Sequence, residues 1–256
     1  MKYSKVIIFA IPLFIFNCSV QKKNTGNNDY EVKLDTLTLF DQSRNRKIPV
    51  AFYHPKTAKK ILHQPVAIFS HGYGANKGGD YFVYSYLTEK LASNGYFTVS
   101  IQHELTTDSL LPTEGNLQIV RRPFWQSGSD NILFVLNELK KTHPELDYSH
   151  LTLIGHSNGG DMAALFTNQH PNLVYKLITM DNRRMFLPRT SLPRIYTLRS
   201  NDYPADEGVL PDEENRNKYH ITVQPTQINH GHMDDKGTDE EKRTLNDFVL
   251  QYLSEP

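Results

Sequence analysis

This 256-residue chain has one cysteine, Cys18, and no net charge, since Lys+Arg and Asp+Glu both number 28. A single cysteine cannot close an internal disulfide, so its placement needs another explanation. Balanced charge gives no basis for a nucleic-acid partner or for general attraction to anionic lipid. The apolar run 6–16 is too short to cross a membrane as a mature helix, and it contains Pro12. There is no internal repeat and no low-complexity tract. The length suits one α/β domain with a full core.

The chain opens on Lys2 and Lys5 ahead of that apolar run, the charged and hydrophobic regions of an export signal over 1–17. Cys18 stands directly after it and resembles the lipid-modified cysteine of a bacterial lipoprotein, although Phe16 and Asn17 are bulkier than the residues usual before that position. The expectation is a protein exported to the bacterial cell envelope, lipid-anchored at Cys18. Soluble secretion into the medium or periplasm, or an uncleaved anchor, are the alternatives. The polar stretch 18–29 reads as a flexible tether and 30–256 as the folded domain.

Two strands, 31–40 and 47–53, are joined by polar residues 41–46 and predict a hairpin. Strand and helix patterns then alternate: strand 66–70, helix 81–94, strand 96–102, a long loop, helix 128–141, and strand 151–154. Val83, Tyr86, Leu87 and Leu91 form one face of the first of these helices. Strands 175–180, 195–199 and 220–223 follow, and helix 240–253 closes the chain with Leu245, Phe248, Val249 and Tyr252 on its apolar face. An antiparallel hairpin followed by strand–helix units implies a mostly parallel, twisted sheet with helices on both faces.

Between strand 151–154 and an apolar helical stretch lies Gly155-His-Ser-Asn-Gly-Gly160. A G-x-S-x-G between strand and helix is a nucleophile elbow: the turn is so tight that side chains at Gly155 and Gly159 would clash, and it lifts Ser157 Oγ clear of the sheet. The helix beginning at Asn158 aims free N–H groups and the positive end of its dipole at the same place. Acyl transfer needs such donors where negative charge develops on the carbonyl oxygen. Ser70-His-Gly-Tyr-Gly74, at the end of the third strand, offers the other half of that hole, with Tyr73 N–H and Asn158 N–H as the two donors.

A base would come late in the chain, and Asn229-His-Gly-His232 lies there; position alone does not separate His230 from His232. An orienting acid has two candidates, Asp181 at the end of the sixth strand and Asp202 just after the seventh, with Asp206 a weaker third. His230, His232, Asp234 and Asp235 also cluster in sequence, but the serine route accounts for the same histidines, so no metal and no cofactor is expected.

At these residues the chain resembles the α/β-hydrolase family, and more narrowly the plasma-type platelet-activating-factor acetylhydrolases and their dienelactone-hydrolase-like bacterial relatives. The similar stretches are Phe69-Ser-His-Gly-Tyr-Gly-Ala75, Leu91-Ala-Ser-Asn-Gly95, Gly155–Gly160, Met180-Asp181 followed by Met185-Phe-Leu-Pro188, and Tyr203-Pro-Ala205. The first and third are distinctive. The resemblance implies an α/β-hydrolase fold and a metal-independent serine esterase acting on a small-molecule or lipid ester. It implies His230 as base, and Asp181 as acid, because the acetylhydrolases carry theirs after the sixth strand. The departure is Asp202, an acid at the seventh-strand place commoner in this fold. The stretch between Met180 and Ile195 is too short for a helical lid, so an open site is expected, walled by loop 104–125. A serine peptidase and a non-catalytic binding lipoprotein on the same scaffold are the competing readings.

Overall fold

The computed structural model describes residues 29–58 and 61–256, so Cys18 and the expected signal and most of the tether lie outside it. Strands β1 (Val32–Asp41) and β2 (Arg46–Pro55) form the antiparallel hairpin. Its turn is organised by Asp41, whose carboxylate accepts from Ser43 N–H at 3.0 Å and Arg44 Nε at 2.5 Å. Then come β3 (Pro65–Ser70), α1 (Ser85–Ser93), β4 (Phe97–Ile101), a short α2 (Leu117–Val120), α3 (Arg122–Thr142) and β5 (Asp147–His156). The remainder is α4 (Ser157–Gln169), β6 (Lys176–Met180), β7 (Arg194–Arg199), α5 (Glu213–Tyr219), β8 (Thr222–Pro225) and α6 (Asp239–Ser254).

The eight strands make one sheet in the order β1-β2-β4-β3-β5-β6-β7-β8, antiparallel at β1/β2 and β2/β4 and parallel elsewhere. This is the α/β-hydrolase fold, without a large lid insertion. Strand alternation sorts the side chains between two cores. Val66, Ile68, Leu151 and Leu153 face Ile132, Val135 and Phe166 of α3 and α4, whereas Ala67, Phe69, Ile154 and Ile178 face Leu87, Leu91, Leu245 and Val249 of α1 and α6. Burial on both faces is why the central strands read as unbroken apolar runs.

Strand β5 is longer than expected, α2 and α5 are additional, and three further elements are displaced for local reasons. The helix expected from 81 begins at Ser85, because Asp80–Phe82 forms a 3₁₀ turn first; Val83 is therefore exposed and Tyr84 is buried. The helix expected from 128 begins a turn and a half earlier, at Arg122, with Pro123 in its first turn, where a missing N–H costs nothing. Strand β8 starts two residues late because α5 ends on His220 in the left-handed region (φ 55°). That helix is polar except for Tyr219, so it has no apolar period to read.

Chain direction places the site. From β3 the chain steps to β4 on one side, then crosses to β5 on the other, so the loops leaving β3 and β5 diverge and open a crevice at the strands' carboxyl ends. The Ser70–Gly74 loop and the Ser157 turn are those two loops.

Candidate active site

Ser157 sits on the turn from β5 into α4 with φ 51°, a left-handed conformation that costs a β-carbon-bearing residue on the order of 1 kcal/mol. Its surroundings enforce that turn. A β-carbon on Gly155 would lie 2.5 Å from Gly159 O, and one on Gly159 would lie 2.2 Å from Ser70 O, so both glycines are sterically required. The second contact shows how closely α4 enters against the end of β3.

Ser157 Oγ–H donates to His230 Nε2 at 3.0 Å, and His230 Nδ1–H donates to Asp181 Oδ2 at 2.5 Å. Asp181 is fully buried and also takes a left-handed turn (φ 58°) that swings its carboxylate out of the β6 line. Ser200 donates to it from both N–H (3.1 Å) and Oγ–H (2.7 Å), and the Arg199 guanidinium lies 2.7 Å from Oδ1. Burial alone would raise this carboxyl's pKa; the His230, Arg199 and Ser200 contacts outweigh it and hold it below the usual aspartate value.

The competing residues touch other atoms. Asp202 Oδ1 accepts from the backbone N–H of His230 at 2.7 Å and so holds the loop instead of the imidazole. His232 Nδ1 pairs with Glu241 Oε1 at 3.1 Å, and Glu241 belongs to the capping box of α6 with Thr238. Asp206 lies 3.9 Å from Arg184. The sequence cluster near His230 is dispersed: Asp234 bonds Lys236, and Asp235 accepts from Ser85 N–H, Ser85 Oγ–H and Tyr86 N–H, capping α1. Among the described residues no group of three or more His, Cys, Asp or Glu side chains is placed to hold a metal ion.

Several supporting contacts escaped the sequence reading. The His230 ring lies between Tyr203 (ring centroids 5.0 Å apart, stacked) and His156 (4.6 Å). His156 is pushed down to about 3 by burial and by the neighbouring His230, so it remains neutral when His230 gains a proton. Tyr84 Oη accepts from Gly72 N–H (3.0 Å) and donates to His156 Nδ1 (2.7 Å), tying the loop after β3 to the residue before the nucleophile. The side chain of Asn158 is held at both ends: Trp125 Nε1–H donates to its Oδ1 (2.9 Å), and its Nδ2–H donates to the buried Glu104 (2.7 Å). As the second residue of α4, Asn158 has a backbone N–H with no intrahelical acceptor. Tyr73 Oη accepts from Leu111 N–H at 3.0 Å, which pins the wall loop beside the serine. The Ser157 turn and the Ser70–Gly74 loop carry local sequence signals; these supporting bonds join residues as far as 72 positions apart in the chain.

No protein-family model and no curated protein sequence matches the chain. Solved structures do. An esterase from the fungus Rhizomucor miehei superposes with a TM-score of 0.64 at 14% identity, over 88% of this chain and 83% of its own. A hyperthermophilic esterase from the archaeon Pyrobaculum calidifontis gives 0.63 at 14%, over 86% and 82%. Brefeldin A esterase, a bacterial homologue of human hormone-sensitive lipase, gives 0.58 at 12%, over 95% and 81%. At these identities the likeness establishes the fold.

Proposed function

We propose that this protein is a metal-independent serine hydrolase that cleaves carboxylic esters, with Ser157 as nucleophile, His230 as general base and Asp181 as the orienting acid. The observation that carries the reading is the continuous hydrogen-bond chain Ser157–His230–Asp181 at the mouth of the β3/β5 crevice, with a strained serine at its head. Ser157 Oγ attacks the ester carbonyl while His230 Nε2 takes its proton. Negative charge collects on the carbonyl oxygen, facing Tyr73 N–H and Asn158 N–H. Collapse expels the alcohol, which receives the proton from His230 and leaves an acyl-Ser157. Water then repeats the sequence, giving the acid and free Ser157. Asp181 holds the imidazole in the tautomer that presents Nε2 to the serine and offsets its charge once protonated.

The resemblance to the platelet-activating-factor acetylhydrolases supports the placement of the acid after the sixth strand. Protein lacking residues 1–18 should hydrolyse 4-nitrophenyl acetate or butyrate and label with a fluorophosphonate, and EDTA should change neither. Folded protein that fails to label, or that loses activity to EDTA and regains it with zinc, overturns the reading. The export signal over 1–17 and the position of Cys18 support a lipid-anchored envelope protein. Wild-type protein should then incorporate a palmitate analogue and partition into detergent, and Cys18→Ala should do neither; equal partitioning would reject the anchor.

A further inference from the structure

The chain is neutral overall, yet arginines gather around the helix that Ser157 begins. Arg183 and Arg184 follow Asp181 and Asn182 in the loop after β6. Their backbone N–H groups, with that of Met185, converge on Asp161 Oδ1 at 2.8–3.1 Å. Asp161 lies one helical turn beyond Ser157 on α4, so this loop is anchored over the elbow helix. Arg121 comes from the opposite wall, one turn before Trp125, whose indole bonds Asn158. Arg122 Nη1 reaches Met185 Sδ at 3.8 Å, which brings the two walls together.

The way these side chains are held leaves their outer donors free. Arg121 uses Nε on Pro112 O (2.8 Å), and Arg183 uses Nε on Pro204 O (3.4 Å) while lying 3.5 Å over the Tyr203 ring. That ring in turn stacks on His230. Arg184 is mostly buried, its Nε makes no hydrogen bond, and its ion pair with Asp206 is long, at 3.9 Å. The other carboxylate near them, Asp161, gives Oδ1 to the three backbone N–H groups, and burial pushes its pKa up to about 6. Burial first, and then the neighbouring Arg184, holds the Arg121 and Arg183 guanidiniums below the usual arginine range. Each of these contacts uses Nε alone, so the outer Nη donors of three planar forks carry no hydrogen bond among the described residues.

We propose that Arg121, Arg183 and Arg184 form an anion subsite beside Ser157, and that the natural ester carries a carboxylate or phosphate group. Planar guanidinium forks match the oxygens of either. The inference rests on the serine-esterase reading for the bond cleaved. The anionic group has two sources: a free carboxylate on the acyl side, as in a dicarboxylic hemiester, or a phosphate on the alcohol side, as in an acylated glycerol phosphate.

Two matched pairs of substrates test it. The first compares mono(4-nitrophenyl) glutarate with 4-nitrophenyl valerate, and the second compares acetylated glycerol 3-phosphate with acetylated glycerol, followed by acetate release. In one pair, the anionic member should have the higher kcat/KM, and that ratio should fall about tenfold in Arg184→Gln, the loss of one charge-assisted contact. Arg184→Lys, which keeps the charge without the fork, should retain part of the preference. Arg243→Gln, on the exposed face of α6, should leave the ratio where it was. Ratios of one or below in both pairs, or a ratio that Arg184→Gln does not move, would overturn the subsite.

Binding separates this outcome from failure of the esterase reading. Trp125 is the only tryptophan in the chain, and its fluorescence should report glutarate or glycerol 3-phosphate binding to wild type but not to Arg184→Gln, whether or not Ser157 is active. Loss of fluorophosphonate labelling with this binding intact would reject the esterase and keep the subsite. Labelling without binding or anionic preference would do the reverse.

Discussion

Asp181 and Asp202 both reach the histidine loop, but they hold different atoms of it. The Asp181 carboxylate receives the imidazole Nδ1–H, whereas Asp202 receives only the backbone N–H of the same residue. Asp181→Asn would offer His230 an amide and favour the wrong tautomer, a change that lowers kcat by about 10⁴ in a serine protease. That corresponds to roughly 5–6 kcal/mol of barrier. Asp202→Asn keeps an acceptor for the backbone N–H, so kcat should fall by less than about tenfold. Steady-state kinetics on both variants, with melts to confirm folding, checks the contrast. Equal losses would reject the assignment.

The same carboxylate predicts a pH dependence. The folded-state pKa of Asp181 is depressed, so the stability it contributes is fully present above the unfolded value of 3.8 and is lost as pH falls through the lower folded value. Asp181→Asn leaves Arg199 buried without its carboxylate at neutral pH. Wild type should therefore melt higher than Asp181→Asn at pH 6–7, and the gap should narrow as the pH is lowered below about 4. A gap that stays constant over that range would show that the ion pair does not stabilise the fold.

Among the elements, α1 and the histidine loop are one mechanical unit. Asp235 caps the N-terminus of α1 and donates its own N–H to Val83 O at 2.8 Å, while Tyr86 Oη–H donates to Met233 O at 2.9 Å. The helix that packs under the sheet thus also fixes where His230 stands. Removing the cap with Asp235→Ala should cost about 1 kcal/mol, within the range of helix caps. For a domain of this size that is a melting-temperature drop of roughly 2–4 °C. Because the loop moves with the cap, kcat should fall as well, and Asp235→Asn should recover part of both. Lost stability with unchanged kcat would mean that the loop is held by Asp202 alone. At the other end of the chain Lys176, buried in β6, donates through Nζ to the carbonyls of Tyr252 (2.8 Å) and Leu253 (3.0 Å). A cation at the C-terminus of α6 complements the helix dipole and docks that helix on the sheet.

For the whole molecule, the β6–β7 connection contains neither helix nor strand, and the wall over Ser157 is the 104–125 segment with its single helical turn α2. Ser157 itself is only half-buried. The rate on a sparingly soluble ester should therefore follow ordinary saturation and show no jump at the solubility limit. A sharp rise above that limit, measured as rate against ester concentration, would require a closing segment. Among the described residues no helix is long and apolar enough to cross a membrane.

The order of elements, the hairpin, the elbow serine and the loop beside it were legible in the sequence because each depends on local rules. Alternation or helical period reports burial, and glycine reports a turn that tolerates no β-carbon. Helix α5 was not legible, since a polar helix has no period, and the start of α1 was not, since its cap comes from Asp235 far along the chain. Position in the chain left open which carboxylate meets the imidazole and which histidine meets the serine; the resemblance pointed to Asp181 and His230, and the contacts themselves are tertiary. Asp181 and Asp202 both follow strands that end beside the crevice, and composition treats them alike. What separates them is a left-handed turn at Asp181 that aims its carboxylate at a histidine 49 residues on. The arginines near α4 were equally silent in one dimension: Arg121 and Arg184 feel each other's charge because Asp161 and Trp125 draw two distant loops onto the same helix. Contacts of that span are fixed by how the whole sheet packs, and no local pattern in the chain encodes them.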